Sequence, residues 1–214
     1  MLNENKLLQP RTKDLKEFVE KLLTDWGYTE KNIYLKCIKD AKKINLCKIT
    51  IEDTKGPIKA FLVNWGMMYR VLNRRKDWEK HLMKAIRKNC TLINKFKNKD
   101  IFNFPNLKEY KIEIKQLYKE IRNIIGPTSA SKVLHLLCPN FFPMWDDVIR
   151  KRLSKEKQKI GESGIGYFKY MVAIQQNFSK LLSKINKLSE EYKMTKLRII
   201  DAYLWQASRK VLSQ

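Results

Sequence analysis

The chain has 214 residues, 43% of them hydrophobic and 31% charged, with a formal net charge of +23. That apolar content excludes a disordered chain, and no apolar run approaches the ~18–20 residues of a membrane span, so no membrane partner is expected. A positive surplus of this size self-repels unless a polyanion neutralises part of it. Double-stranded DNA or another nucleic acid is the leading partner. For the charge alone, an anionic membrane surface is the second candidate, and lysine used only for solvation is the plainer one.

The four cysteines, Cys37, Cys47, Cys90 and Cys138, are far apart. No C-x2-C pair exists, so no metal site is expected, and no cofactor motif is present. With no signal peptide in view, the cysteines read as reduced, mostly buried thiols of a cytoplasmic protein.

Seven glycines and six prolines leave few breaks and favour long helices, so the fold class is all-α. Pro10-Arg11-Thr12 opens a helix to about Trp26, with Thr12 as its N-cap and Leu15, Phe18, Val19, Leu22 and Leu23 on one face. Gly27 ends it, and a second helix runs from about Thr29 to Asn45. Cys47–Ile51 reads as an extended link or a short strand. Gly56-Pro57 starts a helix to about Asn73, with Phe61, Leu62, Trp65, Met68, Tyr69 and Leu72 on its apolar face. Asp77 caps a helix to about Asn94, and 98–105 is a loop. A helix from Leu107 ends at the central stretch. Beyond it, the spacing predicts helices to about Lys155, from Gly164 to Leu188, and from Thr195 to Leu212. Gly161, Gly164 and Gly166 form either a phosphate-cradling loop or a plain linker.

The central stretch is Ile124–Arg152. Gly126 is free to take a positive φ and end one helix. Pro127 suits the first turn of the next. Ala130, Val133, Leu134, Leu137 and Cys138 form an apolar face, with Thr128, Lys132 and His135 on the opposite side. Pro139-Asn140 breaks the helix. Phe141-Phe142-Pro143-Met144-Trp145 then delivers Asp146-Asp147 to the start of another helix, where a carboxylate caps free N–H groups.

Helix, glycine turn, helix, about twenty residues, then an Asp before a hydrophobic–basic helix resembles the helix-hairpin-helix DNA glycosylase superfamily. Gly126-Pro127-Thr128-Ser129-Ala130 is similar to its G-x-[K/S/T]-T-A. Phe142-Pro143-Met144-Trp145-Asp146 resembles the F-P-x-x-D of the adenine glycosylase branch. The chain departs from the family at Arg122-Asn123-Ile124-Ile125-Gly126, where the family reads L-P-G-[V/I]-G.

The resemblance implies one compact unit over 1–214, made of two helical lobes with a cleft between them. Residues 28–139 form the lobe with the helix-hairpin-helix element, and 1–27 plus 140–214 form the other. It implies that Asp146 is the catalytic carboxylate. Thr128 stands where bifunctional members carry a Schiff-base lysine, so the implied enzyme is monofunctional.

The surrounding residues carry the rest of this reading, each beside a plainer one. A carboxylate next to the sugar stabilises positive charge as the base leaves; the plainer role of Asp146 is the helix cap alone. Gly126, Thr128, Ser129, Lys132, Arg150 and Lys151 are the expected DNA contacts, against solvated or structural roles. Lys132 is open to a nucleophilic role as well. Trp145 and His135 are the expected base pocket, against core packing and a structural hydrogen bond. Phe141, Phe142, Trp65 and Trp205 read as core, and His81 as surface. Arg150, Lys151, Arg152, Lys155, Lys157 and Lys159 form a basic cluster. The expected function is a DNA-binding base-excision glycosylase of the monofunctional kind. The alternative is a non-catalytic nucleic-acid-binding protein on the same scaffold.

Overall fold

A computed structural model describes residues 12–155 and 162–212, and within them every regular element is helical. Helix α1 spans Thr12–Lys42 without a break at Gly27, which corrects the expected pair of helices. Its turns are held by packing along its length: Leu15, Val19 and Leu22 are buried in its first half, Tyr34, Cys37, Ile38 and Ala41 in its second. A glycine costs a helix interior only about 1 kcal/mol, which such packing outweighs. The Pro10-Arg11 opening lies outside the described residues.

The next segment also differs from the reading. Leu46–Lys48 is a 3-10 turn rather than an extended link. Thr50 and Asp53 form a reciprocal capping box that starts the helical path at Ile51, ahead of Gly56-Pro57. The path continues through two wide turns, Thr54–Ile58 and Phe61–Trp65, and stops at Gly66. Pro57 cannot donate to the helix ladder, and the first wide turn accommodates it. Phe61, Leu62 and Trp65 are buried.

Helices α2 (Trp78–Lys88) and α3 (Cys90–Lys97) replace the single helix expected here. Asp77 precedes α2 in a left-handed conformation and makes no side-chain cap, so the capping role assigned to it is wrong. Cys47 and Cys90 are joined by a disulfide, whereas Cys37 and Cys138 are free and buried. The expectation of four reduced thiols therefore fails at two of them, and with it the cysteine argument for a cytoplasmic location. No described helix is long and apolar enough to cross a membrane.

Helix α4 (Lys111–Ile125) meets α5 (Pro127–Leu137) at Gly126. Gly126 has φ +86° and ψ 168°, a region open essentially to glycine alone. It serves both helices: its N–H donates to the Arg122 carbonyl, and its own carbonyl accepts from Ala130. Pro127 fills the first position of α5. α5 is buried on all sides from Thr128 to Leu137, so it has no solvated face opposite its apolar one. It lies between α4 and α1.

Helix α6 (Asp147–Lys155) follows, packed on the last helix. Helix α7 (Gly164–Phe178) is N-capped by Ser163. A Cβ on Gly164 would stand 2.4 Å from the Lys115 carbonyl oxygen. Gly164 therefore permits close contact between α7 and α4, and it and Gly166 are buried within a helix rather than forming a phosphate loop. Gly161 lies outside the described residues. The single helix expected to Leu188 is interrupted by the 3-10 turn Ser179–Leu181 before α8 (Leu182–Tyr192). Helix α9 (Lys196–Leu212) closes the fold by packing along α1, with Phe18 and Tyr203 rings 5.5 Å apart.

The Gly126 turn makes a direct prediction. Gly126→Ala forces a side chain into the glycine-only region and should cost about 1–3 kcal/mol of unfolding free energy, read from the urea midpoint. An unchanged midpoint would contradict the turn geometry.

Candidate functional site

The site forms where α1, α5, α6 and α9 meet. The link from α5 to α6 is buried from Phe141 to Trp145. A buried loop must find partners for its carbonyls, and here each of four successive carbonyls has one. Phe142 accepts from His135 Nδ1 (3.0 Å), Pro143 from the Tyr167 hydroxyl (2.8 Å), Met144 from the Tyr170 hydroxyl (3.0 Å), and Trp145 from the Arg150 guanidinium. The Trp145 amide donates to Ser131 Oγ at 2.9 Å. The loop is thereby fixed, and Asp146 emerges from it at a set position.

Asp146 caps α6: its Oδ1 accepts from the Val148 amide at 3.2 Å. Its Oδ2 lies 3.5 Å from Lys132 Nζ. Lys132 is only 8% exposed and also donates to the Gly66 carbonyl at 3.0 Å, with Nζ 5.5 Å from the centre of the Trp65 ring. Burial pushes the Lys132 ammonium below its usual range, and Asp146 opposes that shift. Behind this pair, Arg198 and Asp201 form a second buried ion pair. Burial raises the Asp201 carboxyl to about 6, against the pull of Arg198.

These groups face a cavity of about 190 Å³ lined by Glu30, Trp65, Gly66, Met67, Lys132, Asp146, Asp201 and Trp205. At ~30 Å³ per water, that is room for about six waters, the scale of one small planar ring. Two indole rings and three carboxylates surround a single ammonium. Such a lining favours a flat, polar guest with hydrogen-bond donors or positive charge. Among the described residues, no group of three or more His, Cys, Asp or Glu is arranged to hold a metal ion.

The structure revises most of the other expected contacts. Thr128 and Ser129 are buried in the first turn of α5. Thr128 Oγ1 accepts from Arg150, whose side chain is also buried and reaches Asp147 and Glu162. Arg150 thus braces the α5–α6 junction and is not presented to phosphate. Gly126 is buried too, with Arg75 Nη2 and Val71 Cγ1 lying 3.6 and 3.9 Å from where its Cβ would stand. Lys132 points into the cavity and not toward a backbone surface. Of the expected DNA contacts only Lys151 is exposed, paired with Asp147 at 2.7 Å. Arg152 donates to the Ala207 carbonyl. The side chain of Lys155, and Lys157 and Lys159 entirely, lie outside the described residues.

Trp145 and His135 do not line the cavity. Trp145 is fully buried and stacked on Tyr170 at 5.6 Å. His135 is fully buried as well. Because a carbonyl can only accept, Nδ1 carries the proton given to Phe142, and Nε2 accepts from the Tyr34 hydroxyl at 2.9 Å. Tyr34 in turn is 3.0 Å from Thr195 Oγ1. The chain of bonds links Thr195 just ahead of α9, Tyr34 on α1, His135 on α5 and the loop. Burial holds the His135 pKa down to about 3. Phe141, Phe142 and Trp65 are core as expected, while Trp205 sits half-buried at the cavity.

The sequence reading missed Asp201, Arg198, Glu30 and Tyr34. Asp201 and Arg198 are charged positions in the middle of the apolar α9 pattern, and that misplacement was the available signal. Glu30 and Tyr34 gave no comparable signal, because only the unbroken α1 brings them here.

The buried histidine sets a pH dependence. Unfolded, it takes a proton near 6.5; folded, not until about 3. The unfolded state binds the extra proton between those values, so this group's contribution is full above pH 6.5 and is lost as pH drops toward 3, by about 1.4 kcal/mol per unit. Nitrogen NMR should show a neutral, Nδ1-protonated His135 ring from pH 8 to 5. A ring that titrates near 6.5 would contradict its enclosure.

No curated protein and no solved structure matches the chain. A family whose description reads "Family of unknown function (DUF6308)" matches residues 63–208. That span holds Gly126, Lys132, Asp146, Arg198 and Asp201, while Glu30 and Tyr34 come from the helix before it. With more than half of its length matched, the chain belongs to the DUF6308 family.

Proposed function

We propose that the protein is a DNA-binding base-excision glycosylase of the helix-hairpin-helix kind, cleaving the N-glycosidic bond of a damaged or mispaired base without cutting the strand. In this reading α4, Gly126 and α5 form the helix-hairpin-helix element. The two lobes fall at 28–139 and at 1–27 plus 140–214, with α1 running unbroken from one into the other across Gly27, and the cavity is the inner end of the cleft between them. The observation that carries it is the placement of Asp146: a carboxylate on a rigid loop, beside a cavity of about 190 Å³ of single-ring scale. The net charge of +23 supports a DNA partner.

The chemistry follows from the site. As the base departs, positive charge builds on the sugar, and a fixed carboxylate beside it lowers the barrier. Four bound carbonyls keep Asp146 from relaxing away. Lys132, 3.5 Å from Asp146 Oδ2, tempers that charge in the free protein. Thr128 has no amine, and Arg150 holds its hydroxyl, so it forms no covalent link to the sugar. Water completes the reaction and leaves an abasic site.

The second reading is a non-catalytic nucleic-acid-binding protein on the same scaffold. One observation favours it: Asp146 is already engaged, by the Val148 amide and by Lys132. Asp146→Asn separates the two, because asparagine retains the cap while losing the charge. As a glycosylase, the variant should bind damaged duplex as well as the parent and release base at least ~100-fold more slowly. If the melting temperature drops and base release is unchanged, Asp146 is structural only, capping α6 and pairing Lys132.

A further inference from the structure

Residues 67–76 read M-M-Y-R-V-L-N-R-R-K, four cations with no carboxylate. Two non-glycine residues in the left-handed region, Met67 (φ 54°) and Asp77 (φ 52°), bracket the segment. Such backbone is retained only where its surroundings over-determine it. Two anchors do so here. Leu72 is buried in the core, and the Arg75 guanidinium donates to the Asn123 and Ile124 carbonyls at 3.3 and 2.9 Å, at the end of α4.

Those anchors turn the remaining side chains outward. Met67 is 77% exposed, Tyr69 58% and Val71 39%. Arg70, Arg74 and Lys76 are exposed between and beyond them, and no carboxylate among the described residues pairs with any of the three. The segment also has a particular course. At one end Met67 lines the cavity that holds Asp146. At the other, Val71 and Arg75 lie over Gly126. It is a strap running from the mouth of the cavity across the glycine turn.

We infer that this strap, and not the glycine turn beneath it, is the protein's DNA-contacting surface, and that it grips DNA at an unstacked nucleotide. The inference rests on the DNA-binding reading above. Arg70, Arg74 and Lys76 neutralise phosphates. Tyr69 and Met67 cover base faces that open when a nucleotide leaves the stack beside the cavity. Charge complementarity selects the occupant: an acidic protein would satisfy the cations, but three exposed apolar groups interleaved with them match alternating bases and phosphates. The strap also accounts for the burial of Gly126, which leaves the turn no free surface of its own.

The test uses the full chain and fluorescence anisotropy across a salt series. The probes are an intact duplex and the same duplex carrying a tetrahydrofuran abasic analogue. The triple variant Arg70→Gln, Arg74→Gln, Lys76→Gln should flatten the slope of log affinity against log salt by about 2–3. A control triple on α1, Lys36→Gln, Lys39→Gln, Lys42→Gln, should leave the slope nearly unchanged. Tyr69→Ala should keep the slope and lose at least about fivefold of the preference for the abasic duplex. Equal effects from the two triples, or a preference untouched by Tyr69→Ala, would overturn the strap while the glycosylase reading stands on base release. A parent protein that binds neither duplex at low salt would remove both.

Discussion

Four buried backbone carbonyls in succession, from Phe142 to Trp145, are the constraint on which the rest of the structure depends. An unpaired buried carbonyl costs about 1–3 kcal/mol, so leaving all four unserved would cost about as much as the whole net stability of a domain, about 5–15 kcal/mol. The partners come from three helices: His135 on α5, Tyr167 and Tyr170 one turn apart on α7, and Arg150 on α6. Serving the loop therefore ties three helices to it. It also explains why these polar groups lie inside the protein. They are hydrogen-bond donors to a backbone that has no water to turn to.

The loop's rigidity bears on the cavity beyond it. Lys132, Arg198 and Asp201 are buried, with the partly exposed Asp146 beside them, and buried ions are costly even when paired. A fold selected only for stability would do better with apolar residues there. Pairing leaves the carboxylates of Asp146 and Asp201 accessible to one small cavity, and that arrangement is why the site invites a chemical rather than a structural explanation. Perturbed groups beside a cavity are where function concentrates, and here the perturbation comes from burial first and neighbouring charge second.

Part of this was legible in the sequence and part was not. The all-helical class followed from sparse glycine and proline, and the positive φ at Gly126 followed from the residue type and its position between two apolar patterns. Asp146 at the head of a helix was legible for the same local reason. What failed was mostly long-range. Gly27 looked like a stop, but packing along α1 carries the helix through it. α5 looked amphipathic, yet Thr128, Lys132 and His135 are buried because Arg150 on α6, and Asp146 and the Phe142 carbonyl in the loop before it, wait for them. Arg150 and Lys151 are neighbours in sequence, and one is a buried brace while the other is a surface ion pair. Periodicity gives the face of a helix but not what packs against it. The Cys47–Cys90 pair, 43 residues apart, was invisible for that reason too.

The most direct measurement is a screen for base release from duplexes that each carry uracil, hypoxanthine, 8-oxoguanine or an alkylated base. A monofunctional glycosylase should release free base from at least one of them, with the strand left unbroken at an abasic site. Binding to every duplex with no base released from any would contradict it, and would leave the Asp146 loop as the core of a binding protein.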